Sequence, residues 1–192
     1  MGNYFIVRKK AEFQTSRWSG GSTTQLYLYP EDSSYSEGNF QCRISSAAVE
    51  VDKSDFTSLP GVKRYLSIFE GHLEMVHGEA DRVCLRPYEV DCFDGGVPTV
   101  SFGRVTDFNL MLKNGAEGKM ETARLKAGES LKLEPKAGEN LLAVYVRCGK
   151  AEAADCKAEE GELLLCKDWK ESVVLVNSGK EETGLGICRV RV

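Results

Sequence analysis

Hydrophobic and polar positions alternate with a period of two along most of the chain. The runs "QLYLYP", "FQCRISSAAVEV", "KRYLSIFEGHLEMVHG", "ESLKLEP" and "NLLAVYVRCG" are short, alternating or apolar, and rich in Val, Tyr, Phe and Ile. Clusters of Gly, Pro, Asp and Ser separate them, as turns separate strands. Amphipathic helical patterns of ~10 residues or more are absent. The pattern predicts an all-β chain, and evenly spaced short strands point to a sandwich or barrel.

The pattern also repeats weakly. "LSIFEG" (Leu66 to Gly71) lies on "VYVRCG" (Val144 to Gly149), each an apolar strand ending in a turn glycine. Downstream, Glu89 in "VCLRPYEVDCFDGG" and Glu162 in "EAADCKAEEGELLLCKDW" each lead from a Pro- or Gly-marked corner into a short apolar strand. Two copies of one β-unit would fill the chain. The expected seam is the polar, Gly-bearing stretch Leu112 to Ala123, where apolar alternation lapses. The expected division is residues 1 to 115 and residues 116 to 192.

Composition narrows the partners. With 192 residues, the chain is long enough to bury a core without disulfides. Its 25 basic and 29 acidic residues give a net charge of −4, so no global basic field attracts nucleic acid. No apolar run approaches the ~18 residues of a spanning helix, and no membrane partner is expected. In "MGNYFIVRKKAEF" the basic residues follow the apolar patch, the wrong order for a signal peptide, and Ile6 stands where an acylation pattern needs Ser or Thr. The expectation is a cytosolic protein; a homodimer is left open. The seven cysteines show no C-x-x-C spacing, and several alternate as core residues do, so reduced, buried thiols are expected.

A few polar residues sit inside otherwise apolar runs. In "NFQCRISSA", Phe40, Cys42 and Ile44 share one strand face while Gln41, Arg43 and Ser45 share the other. Arg43 is a solvated strand residue if that face points out; if it points in, the guanidinium needs an anionic partner, either Asp107 or a ligand. In "TDFNLM", Asp107, Asn109 and Met111 share a face. Asp and Asn are poor strand formers, so either water satisfies them at an exposed strand end or arginines do so inside. Arg64 opens an apolar strand just after the Pro60-Gly61 turn. Gly20 and Gly21 in "WSGGSTTQ" form either a plain turn or a place where a ligand nears the backbone, with no phosphate-loop Lys following. Thr23 and Thr24 fall on opposite faces, so at most one meets a pocket, and Trp18 is either core or platform.

These segments carry a resemblance. "RWSGGSTTQLYLYP", "FQCRISSAAVE", "DFTSLPGVKRYLSIFEG", "YEVDCFDGG" and "TDFNLM" occur in the order and approximate spacing of the HutD/Ves family of bicupin proteins, within the RmlC-like cupin superfamily. The likeness spans roughly residues 17 to 111 and weakens in the second half. It implies two tandem cupin-like (double-stranded β-helix, or jelly-roll) barrels, the first holding a ligand pocket. It implies further that Arg43 points inward and that Arg64 lines the barrel mouth, gripping a carboxylate with its planar fork. Asp107 would then orient an arginine, and Asn109 would offer its amide to the ligand. The ligand-binding set expected is Trp18, Thr23, Arg43, Ser45, Arg64, Asp107 and Asn109. Cys42 stands where the family usually has Trp, a departure expected to alter the pocket wall. Some members are bacterial proteins connected with histidine catabolism or stress response.

Cupins often hold a metal, but His72 and His77 are the only histidines and fall on opposite faces of a regular strand. No metal, cofactor or G-x-S-x-G nucleophile elbow is expected. The leading expectation is a non-enzymatic binder of a small anionic metabolite, acting as sensor or regulator, with urocanate or an N-formyl or formimino glutamate as ligand type. The alternative is a metal-independent isomerase or hydrolase with Asp107 as general base. Nearby arginines would depress the pKa of Asp107 and so favour binding over catalysis. A partner-docking protein with a vestigial pocket is a third reading.

Overall fold

The computed structural model describes residues 2–192. Met1, part of the N-terminal segment weighed above, lies outside the described residues. The chain forms two compact units, one of residues 14–116 and one of residues 2–13 with 117–192.

The first unit contains β2 (Gln14–Trp18), β3 (Gly21–Tyr29), β4 (Cys42–Val49), β5 (Lys53–Asp55), β6 (Lys63–Glu70), β7 (Leu73–His77), β8 (Asp81–Leu85), β9 (Val90–Asp94), β10 (Thr99–Phe102) and β11 (Val105–Leu112), with β1 (Phe5–Arg8) preceding them in the chain. They make a six-stranded sheet in the order β2-β3-β4-β11-β6-β9 and a four-stranded sheet in the order β5-β10-β7-β8. All pairings are antiparallel.

The second unit contains β12 (Glu117–Leu125), β13 (Ser130–Leu133), β14 (Leu141–Cys148), β15 (Lys150–Ala153), β16 (Cys156–Glu159), β17 (Leu163–Lys167), β18 (Val173–Asn177) and β19 (Thr183–Arg191). Its sheets run β1-β17-β14-β19-β12 and β13-β18-β15-β16. Moving eight strands along the chain converts β4-β11-β6-β9 into β12-β19-β14-β17 and β5-β10-β7-β8 into β13-β18-β15-β16. Each unit is therefore one copy of the same two-sheet jelly roll, in which the chain crosses repeatedly from one sheet to the other.

Equivalent turns use equivalent chemistry. Gly71 and Gly149 follow β6 and β14 with φ of 88° and 79°. A Cβ at Gly71 would stand 2.4 Å from the Arg104 carbonyl oxygen, and one at Gly149 would stand 2.4 Å from Thr183 Oγ1. Before β9, the Arg86 N–H donates to the Glu89 carboxylate at 2.8 Å. Before β17, the Glu159 N–H donates to the Glu162 carboxylate at 2.9 Å.

The division differs from the sequence expectation at its start. Residues 2–13 belong with the second unit, because β1 adds to β17 in register Phe5↔Cys166 through Arg8↔Leu163 and inserts Phe5 into that core. No turn residue in the sequence marks this exchange. The seam falls in the 113–116 turn, and the polar stretch after it is β12, paired along one edge only, to β19. The second core is filled by Leu142, Val144, Val146, Leu164, Trp169, Leu185 and Ile187 among others. None of the seven cysteines is in a disulfide, yet only Cys42, Cys166 and Cys188 are buried; Cys84 and Cys92 are exposed because they lie on outward-facing strand positions.

Because positive φ and a close main-chain or side-chain neighbour coincide at both turn glycines, Gly71→Ala and Gly149→Ala are each expected to cost about 1–3 kcal/mol. Chemical denaturation of the two variants beside the parent measures it.

Candidate functional site

Three neighbouring strands build the site. The registers Arg43↔Met111 and Met111↔Arg64 place two arginines on either side of a methionine in one row across β4, β11 and β6, and Arg64↔Phe93 extends the row to β9. The next row holds Gln25, Ser45, Asn109 and Leu66. Because side chains alternate along a strand, Arg43, Ser45 and Ala47 all point inward, and they line a cavity of about 290 Å³. Trp18, Thr23, Arg64, Asp107, Asn109 and Met111 line the same cavity. All seven residues singled out from sequence thus meet around one space. Thr24 faces away and hydrogen-bonds Thr15.

Arg43 is well supported. Its Nε donates to Gln25 Oε1 at 3.1 Å, its Nη1 donates to Ser45 Oγ at 3.3 Å, and its guanidinium lies 4.0 Å from the centroid of the Tyr35 ring. Arg64 differs. It is only 6% exposed, its guanidinium lies 4.6 Å from Phe56 and 5.3 Å from Phe93, and its Nε is buried without a hydrogen-bond partner. Its side chain makes neither a hydrogen bond nor an ion pair among the described residues. Gly95 makes room for it: a Cβ there would stand 3.1 Å from Arg64 Cδ and 2.9 Å from the Val62 carbonyl oxygen. Burial, together with the Arg43 charge, lowers the Arg64 pKa to about 10, so the group remains a cation near neutrality.

Asp107 does not pair with an arginine, contrary to the expectation that it orients one. The β4–β11 register runs through Val105↔Val49 and Thr106↔Ala48 and resumes at Asn109↔Ser45. Between them, side chains replace ladder bonds: the Ala47 N–H donates to Asp107 Oδ1 at 2.7 Å, and Ser46 Oγ donates to the Asp107 carbonyl at 2.6 Å. Oδ1 is thus committed to the backbone, while Oδ2 has no hydrogen-bond partner among the described residues. Burial raises the Asp107 pKa to about 7, outweighing the Ala47 N–H and the charges of Arg64 and Arg43, which act the other way. The arginines do depress it, as expected, but burial outweighs them and the net shift is upward. Asn109 Oδ1 is also buried and unpaired.

The second unit supplies an internal comparison. Its registers Leu142↔Arg189, Val144↔Ile187 and Val146↔Leu185 correspond to Arg64↔Met111, Leu66↔Asn109 and Ile68↔Asp107. Where the first unit has Arg64, Asp107 and Asn109, the second has Leu142, Leu185 and Ile187, all in its packed core. The jelly roll accepts apolar residues at these positions, so its geometry does not demand the polar ones. The buried Arg189 differs from Arg64 in being fully engaged, by the Glu139 carboxylate at 2.8 Å and the Glu134 carbonyl.

Sequence reasoning missed Gln25, Tyr35, Phe56 and Phe93. Phe93 shares a strand face with Asp91 in "EVDCFD", a signal that was available; Tyr35 lies in a connection with no periodicity. Cys42 faces away from the cavity, so the missing Trp does not reshape its wall. Trp18 is a half-exposed rim residue, its ring so close to Gly20 that a Cβ there would stand 2.2 Å from it. His72 is exposed, while His77 is buried between Thr99 Oγ1 and the Asp91 carboxylate at 2.8 and 2.9 Å. Among the described residues no group of three or more His, Cys, Asp or Glu side chains could hold a metal ion.

Two such jelly rolls in one chain make the fold of a bicupin. Among solved structures, a conserved protein of unknown function, PA5104 from Pseudomonas aeruginosa PAO1, superposes with a TM-score of 0.83 at 15% identity, over 98% of this chain and 100% of that one. HutD from Pseudomonas fluorescens SBW25 gives 0.75 at 15% identity over 97% and 98%. YhhW from Escherichia coli gives 0.72 at 11% identity over 97% of each chain. At these identities the likeness establishes the fold. No curated protein matches the sequence. The HutD family profile matches residues 10–181, and the chain belongs to the HutD family.

A folded-state pKa raised above the unfolded 3.8 means that the Asp107 contribution to stability is fully present below about pH 4 and is lost as pH rises to about 7. Asp107→Asn keeps an acceptor for the Ala47 N–H and removes the buried charge. It is expected to be more stable than the parent at pH 8, by up to about 4 kcal/mol, with the gap closing toward pH 4. Urea unfolding of both proteins across pH 4 to 8 checks this.

Proposed function

We propose that the protein is a non-enzymatic binder of a small anionic metabolite, and that the first unit's cavity is the binding site. The observation that carries the reading is Arg64, a buried guanidinium with no polar partner beside an open cavity. An ion without compensation in the interior costs several kcal/mol, and a ligand carboxylate accepting two parallel N–H bonds would offset that cost. Arg43 lies across Met111 within reach of the same ligand, while Phe56, Tyr35 and Met111 supply apolar walls. A cavity of about 290 Å³ suits a small acid.

The ligand class follows from the family connection with histidine degradation: urocanate, or an N-formyl or formimino glutamate, whose carboxylates match the arginines. In this role the protein acts as a cytoplasmic sensor or regulator of metabolite level. One observation favours a second reading. A carboxyl titrating near pH 7 in an anion pocket is suited to general acid–base work, which keeps an isomerase or hydrolase with Asp107 as base in contention. Recovery of the bound acid unchanged after prolonged incubation supports the binder; its conversion supports the enzyme.

The test uses Arg64→Met, which keeps side-chain length and removes the charge. Without ligand the variant is expected to melt at or above the parent temperature, because an uncompensated buried ion is gone. In calorimetric titration with urocanate and N-formyl-L-glutamate it is expected to bind at least about thirtyfold more weakly, a loss of roughly 2 kcal/mol. A variant that melts lower and binds equally well would refute the assignment.

A further inference from the structure

Asp107 is unexplained by an anion site, since a carboxylate would repel the ligand. The geometry gives it two different oxygens. Oδ1 is fixed by the Ala47 N–H at 2.7 Å, and the Asp107 carbonyl is fixed by Ser46 Oγ at 2.6 Å, so the side chain cannot swing away. Oδ2 has no protein partner among the described residues, although both arginines line the same cavity and a guanidinium is the natural mate of a carboxylate. An acid lying along the Arg43-Met111-Arg64 row would bring its oxygens toward Oδ2. Two anionic oxygens at hydrogen-bond distance require one proton between them.

Resting on the anion-site reading above, we propose that the cavity takes its anion together with one proton from solvent, Asp107 serving as a neutral carboxylic acid whose Oδ2–H donates to the ligand. The ligand class is an acid with a carboxylate oxygen free on the side away from the arginines. Asp107 thereby selects acceptor-bearing anions. It also makes occupancy fall as pH rises.

The charged and titratable groups around Asp107 are Arg43 on β4, Arg64 on β6, Asp55 on β5 and Tyr35 in the connection between β3 and β4. The arginines remain cationic over the neutral range, with Arg64 near 10, and they favour an ionised Asp107. Burial opposes them and holds the carboxyl near 7, so the proton is half in place before the ligand arrives. An arriving anion completes protonation. Affinity is therefore flat below about pH 6.5 and falls roughly tenfold per pH unit once pH exceeds about 7.5. The second unit, with Leu185 at the position of Asp107 and Leu142 at that of Arg64, lacks both halves of the device.

The full chain is titrated calorimetrically with N-formyl-L-glutamate, whose carboxyls are ionised throughout, between pH 5.5 and 9. Parallel runs use buffers of different ionisation enthalpy to count protons. Expected for the parent are about one proton taken up per ligand at pH 8 and a tenfold weakening per unit above pH 7.5. For Asp107→Asn, whose amide donates without titrating, binding within a few-fold of the parent's low-pH affinity and independent of pH is expected. Binding by the parent with no proton uptake and no pH dependence overturns this inference alone. Absence of binding at every pH overturns it together with the anion-site reading. The proton count is made on the parent, so it decides the matter even where the variant fails to fold.

Discussion

The site depends on burying two guanidinium groups inside one jelly roll without a carboxylate paired to either. Removing an ion from water costs several kcal/mol unless other groups replace the lost hydration. Arg43 recovers part of this through Gln25, Ser45 and the Tyr35 ring. Arg64 has only the faces of Phe56 and Phe93, a weaker substitute. Two guanidinium groups without a paired carboxylate are the feature on which the proposed anion site rests.

The duplicated architecture shows that this imbalance is not a by-product of folding. Both units repeat the same strand order and the same turn devices, yet one interior is closed by Leu142, Leu185 and Ile187 while the other is held open by Arg64, Asp107 and Asn109. The second copy shows the apolar solution and the first departs from it. Asp107 carries the departure further by sacrificing ladder bonds between β4 and β11 and replacing them with side-chain bonds. A strand position with a disturbed ladder, a buried carboxyl and an adjacent unpaired amide is costly for stability, and in the proposed function a bound ligand recovers that cost.

Much of this was legible in the sequence. Period-two alternation gave the all-β class, and the faces of "CRIS" and "TDFN" correctly placed Arg43 with Ser45 and Asp107 with Asn109. Gly71 and Gly149 announced the duplication. What sequence could not convey depended on long-range register. The Ala47 partner of Asp107 is set by how β11 lies on β4. The exchange of β1 into the second unit has no local signal. Gln25 shares the inward face of Thr23 two positions along β3, but its meeting with Arg43 rests on the pairing of Gln25 with Ser45 across β3 and β4. The arginines lower the Asp107 pKa as expected, but its net rise comes from burial, whose depth depends on the fold and is not legible in the sequence.

A crystal structure of the protein grown with a small carboxylic acid such as N-formyl-L-glutamate near pH 6 tests the central claim most directly. The acid is expected in the first unit's cavity, over Met111, with carboxylate oxygens within hydrogen-bond distance of Arg64 and an acceptor oxygen facing Asp107 Oδ2. An acid bound elsewhere, or a cavity in which Arg64 has turned to pair with Asp107 and left no room, would contradict it.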